Sequence, residues 1–162
     1  MEILWSPWRH DYINRTNSEN AGTACIFCAA KDDPIQDEAK LIIYRGDENF
    51  IILNRYPYTS GHLMIAPYAH VASLSDAGKK TTDEMMYLAT RCESALRAAY
   101  QPEGLNVGMN IGRVAGAGVA DHIHLHILPR WGGDTNFMST VGDTRVLSED
   151  LVTTYRKLCG KI

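Results

Sequence analysis

Two apolar runs, AKLIIYR and ENFIILN, lie on either side of Gly46-Asp47, and a third, HLMIAP, follows the turn sequence YPYTSG. Short runs rich in branched residues and bounded by turn formers read as strands, so this stretch predicts a β-hairpin followed by a third antiparallel strand. From Thr81 the period changes. Met85, Leu88, Ala89, Cys92, Ala95, Leu96 and Ala99 recur at spacings of three and four, which is one face of a helix. Thr81-x-x-Glu84 reads as its capping box and Pro102-Glu103-Gly104 as its stop. LNVGMNIG and HIHLHILP return to a strand pattern across a glycine-rich bridge, and a last helix runs from about Glu149 to Leu158, capped by Ser148 and closed by Gly160. The order strand, strand, strand, helix, strand, strand, helix predicts an α+β domain, a mainly antiparallel five-stranded sheet with two helices against one face.

The 162 residues contain no internal repeat, and the expectation is a single domain over 1–162. Residues 14–24 are polar and turn-rich, so 1–24 reads as an N-terminal arm; its Trp5, Trp8 and Tyr12 carry enough aromatic surface to require packing on the body or on a second subunit. Sixteen Lys+Arg against 19 Asp+Glu, for a net charge of −3, are scattered along the chain. No extended nucleic acid is expected as a partner. The apolar runs are far shorter than the roughly 20 residues of a membrane span, and the first residues lack the basic start and apolar centre of a signal peptide. The cytoplasm is therefore the expected compartment. There the four cysteines stay reduced; Cys92 and Cys159, in helical patterns, read as buried filler.

Chemistry concentrates in His122-Ile-His124-Leu-His126-Ile. Strand alternation puts three imidazoles on one face and Ile123, Leu125 and Ile127 on the other, against the core. With six histidines in the chain, random placement would produce such a triplet somewhere only roughly one time in a hundred. A row of imidazoles also repels itself once protonated, so packing alone is a costly reason to keep it. Two uses compete: binding a catalytic metal, or direct action by a neutral imidazole as nucleophile with neighbours that carry protons and stabilise an anion. Asp121, the nearest carboxylate, falls on the opposite face. The preceding bridge, from Asn110 through Gly116 and Gly118, offers backbone N–H groups that can cradle a phosphate, which favours phosphoryl or nucleotidyl chemistry. Upstream, Cys25-Ile-Phe-Cys28 has the spacing of half a zinc site, a packed reduced pair being the plainer alternative. Trp131, Asp134 and Asn136 follow the last strand as either product contacts or a covering turn.

HIHLHILP matches the His-φ-His-φ-His-φ-φ signature (φ apolar) of the histidine triad superfamily, and PYTSGHLMIAPYAHV resembles that family's strand and following turn. With LWSPWRHDYI, CIFC and AGAGVADHIHLHILPRWGGDTNFM, the chain is most similar to the bacterial diadenosine tetraphosphate phosphorylase-like branch. The resemblance implies a dimer whose two sheets join into one. It further implies cleavage of dinucleoside polyphosphates at the α-phosphate, by hydrolysis or transfer, through a nucleotidyl-histidine. By it His124 is the nucleophile, His126 and His62 approach the phosphate oxygens, Asn110 bonds the phosphate or bridging oxygen, and Asn54 bonds the ribose. Many relatives carry a hydroxyl residue just before the triad where this chain has Gly118-Val119-Ala120, so the N–H groups of Gly116 to Val119, Gly118 included, stand in for it. A structural zinc held by Cys25, Cys28, His70 and His122 is implied as well. An AMP phosphoramidase of the same superfamily and a non-catalytic nucleotide-binding regulatory module are the alternative functions.

Overall fold

The hairpin is formed by β1 (Ile42–Arg45) and β2 (Asn49–Leu53), and β3 (Leu63–Pro67) pairs with β2 along its whole length. The structure is a computed structural model that describes residues 25–31, 34–136 and 147–162; the expected arm with Trp5, Trp8 and Tyr12 lies outside the described residues. After the long helix come β4 (Gly104–Met109) and β5 (Leu125–Arg130), and β5 inserts between β3 and β4. The sheet order is β1-β2-β3-β5-β4, antiparallel at every junction. The five-stranded α+β architecture is as expected.

Why the runs in β2 and β3 are apolar at every position is plain from their packing. Ile51, Leu53, Leu63 and Ile65 face one cluster, whereas Phe50, Met64 and Ala66 face another on the opposite side of the sheet. Both faces are covered, which departs from the expectation of helices on one face only. The described residues contain four α-helices: α1 (Ile26–Lys31), α2 (Asp37–Lys40), α3 (Lys79–Tyr100) and α4 (Leu151–Leu158). Helices α3 and α4 cover the larger cluster, to which α3 contributes Met85, Leu88, Ala89, Cys92, Ala95 and Leu96. Helix α1, too short to produce a periodic pattern, covers the other face with Phe27 and Ala30. Burial pushes the Cys92 thiol up to about 12, consistent with filler, but Cys159 ends α4 as an exposed residue and is not filler.

The helix boundaries correct two further expectations. Helix α3 starts at Lys79 behind Gly78, with no side-chain cap, so the Thr81/Glu84 capping box does not form. Glu84 reaches instead to the β1–β2 turn, where its two oxygens accept the backbone N–H groups of Asp47, Glu48 and Asn49 at 2.7, 2.9 and 2.8 Å and the Asn49 side-chain amide at 2.8 Å. A hairpin turn with three converging donors competes for the carboxylate better than a helix start already exposed to water. At α4 the cap is Asp150, which accepts the N–H of Thr153 at 2.9 Å, and not Ser148. Both oxygens of Asp150 serve there, the second accepting the Thr153 hydroxyl.

Desolvation pushes the Glu84 carboxyl up, but the hydrogen bonds from Asn49 and from the turn outweigh it and hold the group below the ordinary glutamate range. A carboxyl with a lowered folded pKa stabilises the fold above its unfolded pKa, and that contribution is lost as pH falls through the folded value. Glu84→Gln should therefore cost about 1.5–3 kcal/mol of unfolding free energy at pH 7 in urea titrations. The difference between variant and wild type should close under acid.

Candidate functional site

Placing three imidazoles in a row requires the alternation to extend beyond the strand itself. Hydrogen-bonded pairing of β5 begins at Leu125, so His122 and His124 precede it, a correction to the expected strand. The alternation persists because Ile123 donates its N–H to Val71 O at 2.8 Å, and Ile123, Leu125 and Ile127 all enter the larger core. The histidines are left on the α1 side. There His124 and His126 help to wall a cavity of about 450 Å³, with Gly116, Gly118 and Val119 of the bridge, the apolar Phe27, Leu53 and Met64, and Asn54, Arg55 and Tyr58.

Carbonyl and amide partners determine each ring's tautomer. A backbone carbonyl only accepts, so His124, with Nδ1 at 2.9 Å from His122 O, carries its proton on Nδ1 and its lone pair on Nε2. Burial holds this imidazole below its ordinary pKa, against the opposing pull of that hydrogen bond, so the ring is neutral at pH 7. At His62 the logic runs the other way. The Tyr58 N–H donates to its Nδ1 at 3.1 Å, so Nε2 bears the proton and donates to Nδ1 of His126 at 2.9 Å. His126 in turn keeps its proton on Nε2, as a donor on the cavity wall. Gly61 fixes where this chain starts: its φ is +83°, and a Cβ there would lie 3.1 Å from both Leu96 and Tyr100.

The other expected residues divide. Gly116, Gly118 and Val119 reach the cavity, with Gly116 in the left-handed region at φ +90°. Asn54 reaches it too, its Oδ1 accepting the Tyr56 N–H at 2.9 Å. His62 stands behind His126, at 1% exposure. Asn110 meets the bridge, donating to Gly116 O at 3.4 Å. Arg130 grips both oxygens of Asp134, at 2.5 and 2.8 Å, and Asp134 also accepts the Trp131 N–H at 3.2 Å, a closed turn at the end of β5. Phe27, Arg55 and Tyr58 are cavity residues that sequence reasoning missed; the apolar position inside the CxxC was the one available signal.

Cys25, Cys28, His70 and His122 converge beside the row, with all four ligand atoms within 4.8 Å of one another. His122 donates Nε2–H to Pro67 O at 2.8 Å, which turns the lone pair of Nδ1 toward the cluster. Desolvation lowers its pKa, keeping the ring neutral as a ligand must be. From His122 Nδ1 the Cys25 sulfur is 3.3 Å away, the Cys28 sulfur 3.7 Å and His70 Nδ1 3.2 Å, and Cys28 is 3.3 Å from His70 Nδ1. Two thiolates and two imidazoles around a tetrahedral ion have edges of about 3.3–3.8 Å. The residues fit a closed, four-ligand metal site.

A family model described as HIT domain matches residues 36–133. An AP-4-A phosphorylase of Mycobacterium tuberculosis is 35% identical over 163 residues, covering 98% of this chain and 83% of its own length. Among solved structures, a Zn-bound histidine triad family protein from Mycobacterium smegmatis superposes with a TM-score of 0.67 at 28% identity, over 85% of this chain and 92% of that one. A hypothetical histidine triad nucleotide-binding protein from Sulfolobus tokodaii gives a TM-score of 0.64 at 24% identity, over 85% and 91%, a likeness of fold.

Cobalt(II) titrated into chelator-treated protein should bind at about one ion per chain with the absorption of a tetrahedral thiolate site. Cys28→Ser should abolish that spectrum; an octahedral spectrum would contradict the ligand set.

Proposed function

The chain belongs to the HIT-domain family, and on that premise we propose that it cleaves dinucleoside polyphosphates of the diadenosine tetraphosphate kind at the α-phosphate. The observation that carries this reading is His124: buried, neutral, its proton held on Nδ1 by a carbonyl, and its ring on the wall of the cavity. A nucleophilic imidazole requires that state. In the proposed reaction Nε2 forms a bond to the α-phosphorus as the bond from that phosphorus to the bridging oxygen breaks, and the remaining nucleoside polyphosphate leaves with the electron pair. Water or phosphate then attacks the phosphorus of the nucleotidyl-histidine as the phosphorus–nitrogen bond breaks, the electron pair returning to Nε2; an attacking water gives its proton to solvent.

Charge growing on the phosphate oxygens meets His126 Nε2–H and the backbone N–H groups of Gly118 and Val119; the expected Gly116 donor is corrected, because its N–H is held by Arg113 O at 3.0 Å. His62 keeps His126 in the donating tautomer, and Asn110 supports the bridge through Gly116. Asn54 is assigned to the ribose, and Arg55 beside it supplies positive charge for the phosphate chain. The apolar wall of Leu53 and Met64 suits a purine. Zinc is the proposed ion for Cys25, Cys28, His70 and His122; held by those four residues it would have no open position for substrate, and its contribution would be to fix the segment that leads into the row.

Product analysis tests the reaction. With diadenosine tetraphosphate, AMP plus ATP means hydrolysis, and ADP plus ATP in the presence of phosphate means phosphorolysis. His124→Ala should abolish turnover while nucleotide affinity stays within about tenfold, since a nucleophile acts in the transition state. A variant that keeps more than a tenth of wild-type rate would falsify the covalent route. Tight nucleotide binding by wild type with no turnover would favour a binding module, and release of AMP from a phosphoramidate alone would favour the phosphoramidase.

A homodimer is proposed as the working form. The edge strand β4 leaves Val107 53% exposed, with Ile111 and Val114 exposed just beyond it, an apolar edge that pairing with a second copy would cover. Light scattering should give twice the chain mass of 18.1 kDa.

A further inference from the structure

Cys25 and Cys28 bracket Phe27 in sequence, and the fold brings that ring against the histidine row. Its centroid lies 5.1 Å from His122 and 4.9 Å from His124, inclined by 48° and 38°, and 1% of the residue is exposed. A helix of six residues has little stability of its own, so the ring's position comes from what anchors α1. One anchor is the pair of sulfurs gathered on Nδ1 of His122. A second is Arg45, clamped by Asp37, which donates to the carbonyls of Lys31 and Ala30 at 2.9 and 3.4 Å. Ile42, Phe50 and Met64 form the floor beneath.

His124 has a use for such a wall. The hydrogen bond from Nδ1 to His122 O fixes one point of the imidazole, and a point leaves the ring free to tilt. Its plane is set by the rings around it, Phe27 and the edge-on His126 ring 4.8 Å away at 72°. The direction of the Nε2 lone pair follows from that plane.

We propose that Phe27 is a positioning residue for His124, and that the two thiols which bracket it hold it in place, so the metal site reaches the reactive nitrogen through one aromatic ring. The inference rests on the nucleophilic role given to His124 above. Phe27 also borders the cavity, so the positioning role has to be told apart from that of a simple wall. A wall contributes to substrate binding, whereas a positioning contact contributes to the rate of the bound complex.

The test is Phe27→Leu in the full chain as purified, with Phe27→Met, close in volume, as the second variant should the first not fold. We expect kcat to fall about 10- to 100-fold, the cost of a slightly misaimed group, while KM moves less than about threefold. In nitrogen-15 spectra of histidine-labelled protein, the two ring signals of His124, well separated in wild type, should move toward each other as the Nδ1–H tautomer loses its hold. Unchanged kcat with unchanged His124 signals overturns the proposal, and so does a raised KM with kcat intact. Stripping the ion with a chelator should move the same signals in the same sense; if they stay still, the thiol half is overturned. Should the Phe27 variants shift the His124 signals while wild type turns over no nucleotide, the positioning role stands and the nucleophile assignment fails.

Discussion

The hydrogen bond from His124 Nδ1 to the carbonyl of His122 is the contact on which the rest of the site depends. It decides which nitrogen of the buried ring carries the proton, and therefore which one faces the cavity with a lone pair. It also makes His122 serve two neighbours at once. Its main chain holds the next histidine of the row, and its side chain, turned by Pro67 O, points Nδ1 into the four-ligand cluster. Because both sites use one residue, the geometry of the cluster and that of the His124 ring are set together.

Fold and site were legible wherever a pattern was long enough to have a period. The seven apolar positions of α3 predicted a helix whose buried face the structure reproduces, and the doubly apolar runs of β2 and β3 predicted strands. Short elements were not legible: α1 and α2, at six and four residues, are fixed by tertiary contacts such as the Arg45–Asp37 pair and carry no periodic signature. Glu84 is a different kind of miss. Its sequence context is that of a capping box, and the same residue types also suit a turn thirty-odd positions upstream, a partner no local rule can find. For the site, the row and the CxxC named three of the four residues that converge beside the cavity, yet the order in which His62 and His126 stand depends on the Tyr58 amide, which belongs to the geometry of the turn.

That chain of donors also separates two kinds of imidazole in one small volume. His124 presents a lone pair and His126 a proton, and neither choice is made by charge; each is made by a backbone group that can only accept or only donate. Neutral rings of opposite polarity can sit edge to face at 4.8 Å without the repulsion that two cations would feel. The crowding of histidines that made the sequence conspicuous is thus affordable in the fold.

The four-ligand cluster joins segments far apart along the chain: Cys25 and His122 are separated by 97 positions. An ion held by all four residues would act on the unfolded chain as well as on the folded one, since a cross-link across about 100 residues removes conformational freedom worth about 4.7 kcal/mol in the loop-entropy model developed for disulfides. Most of what lies between those residues, β1 to β4 and the whole of α3, would then belong to a single closed ring of polypeptide.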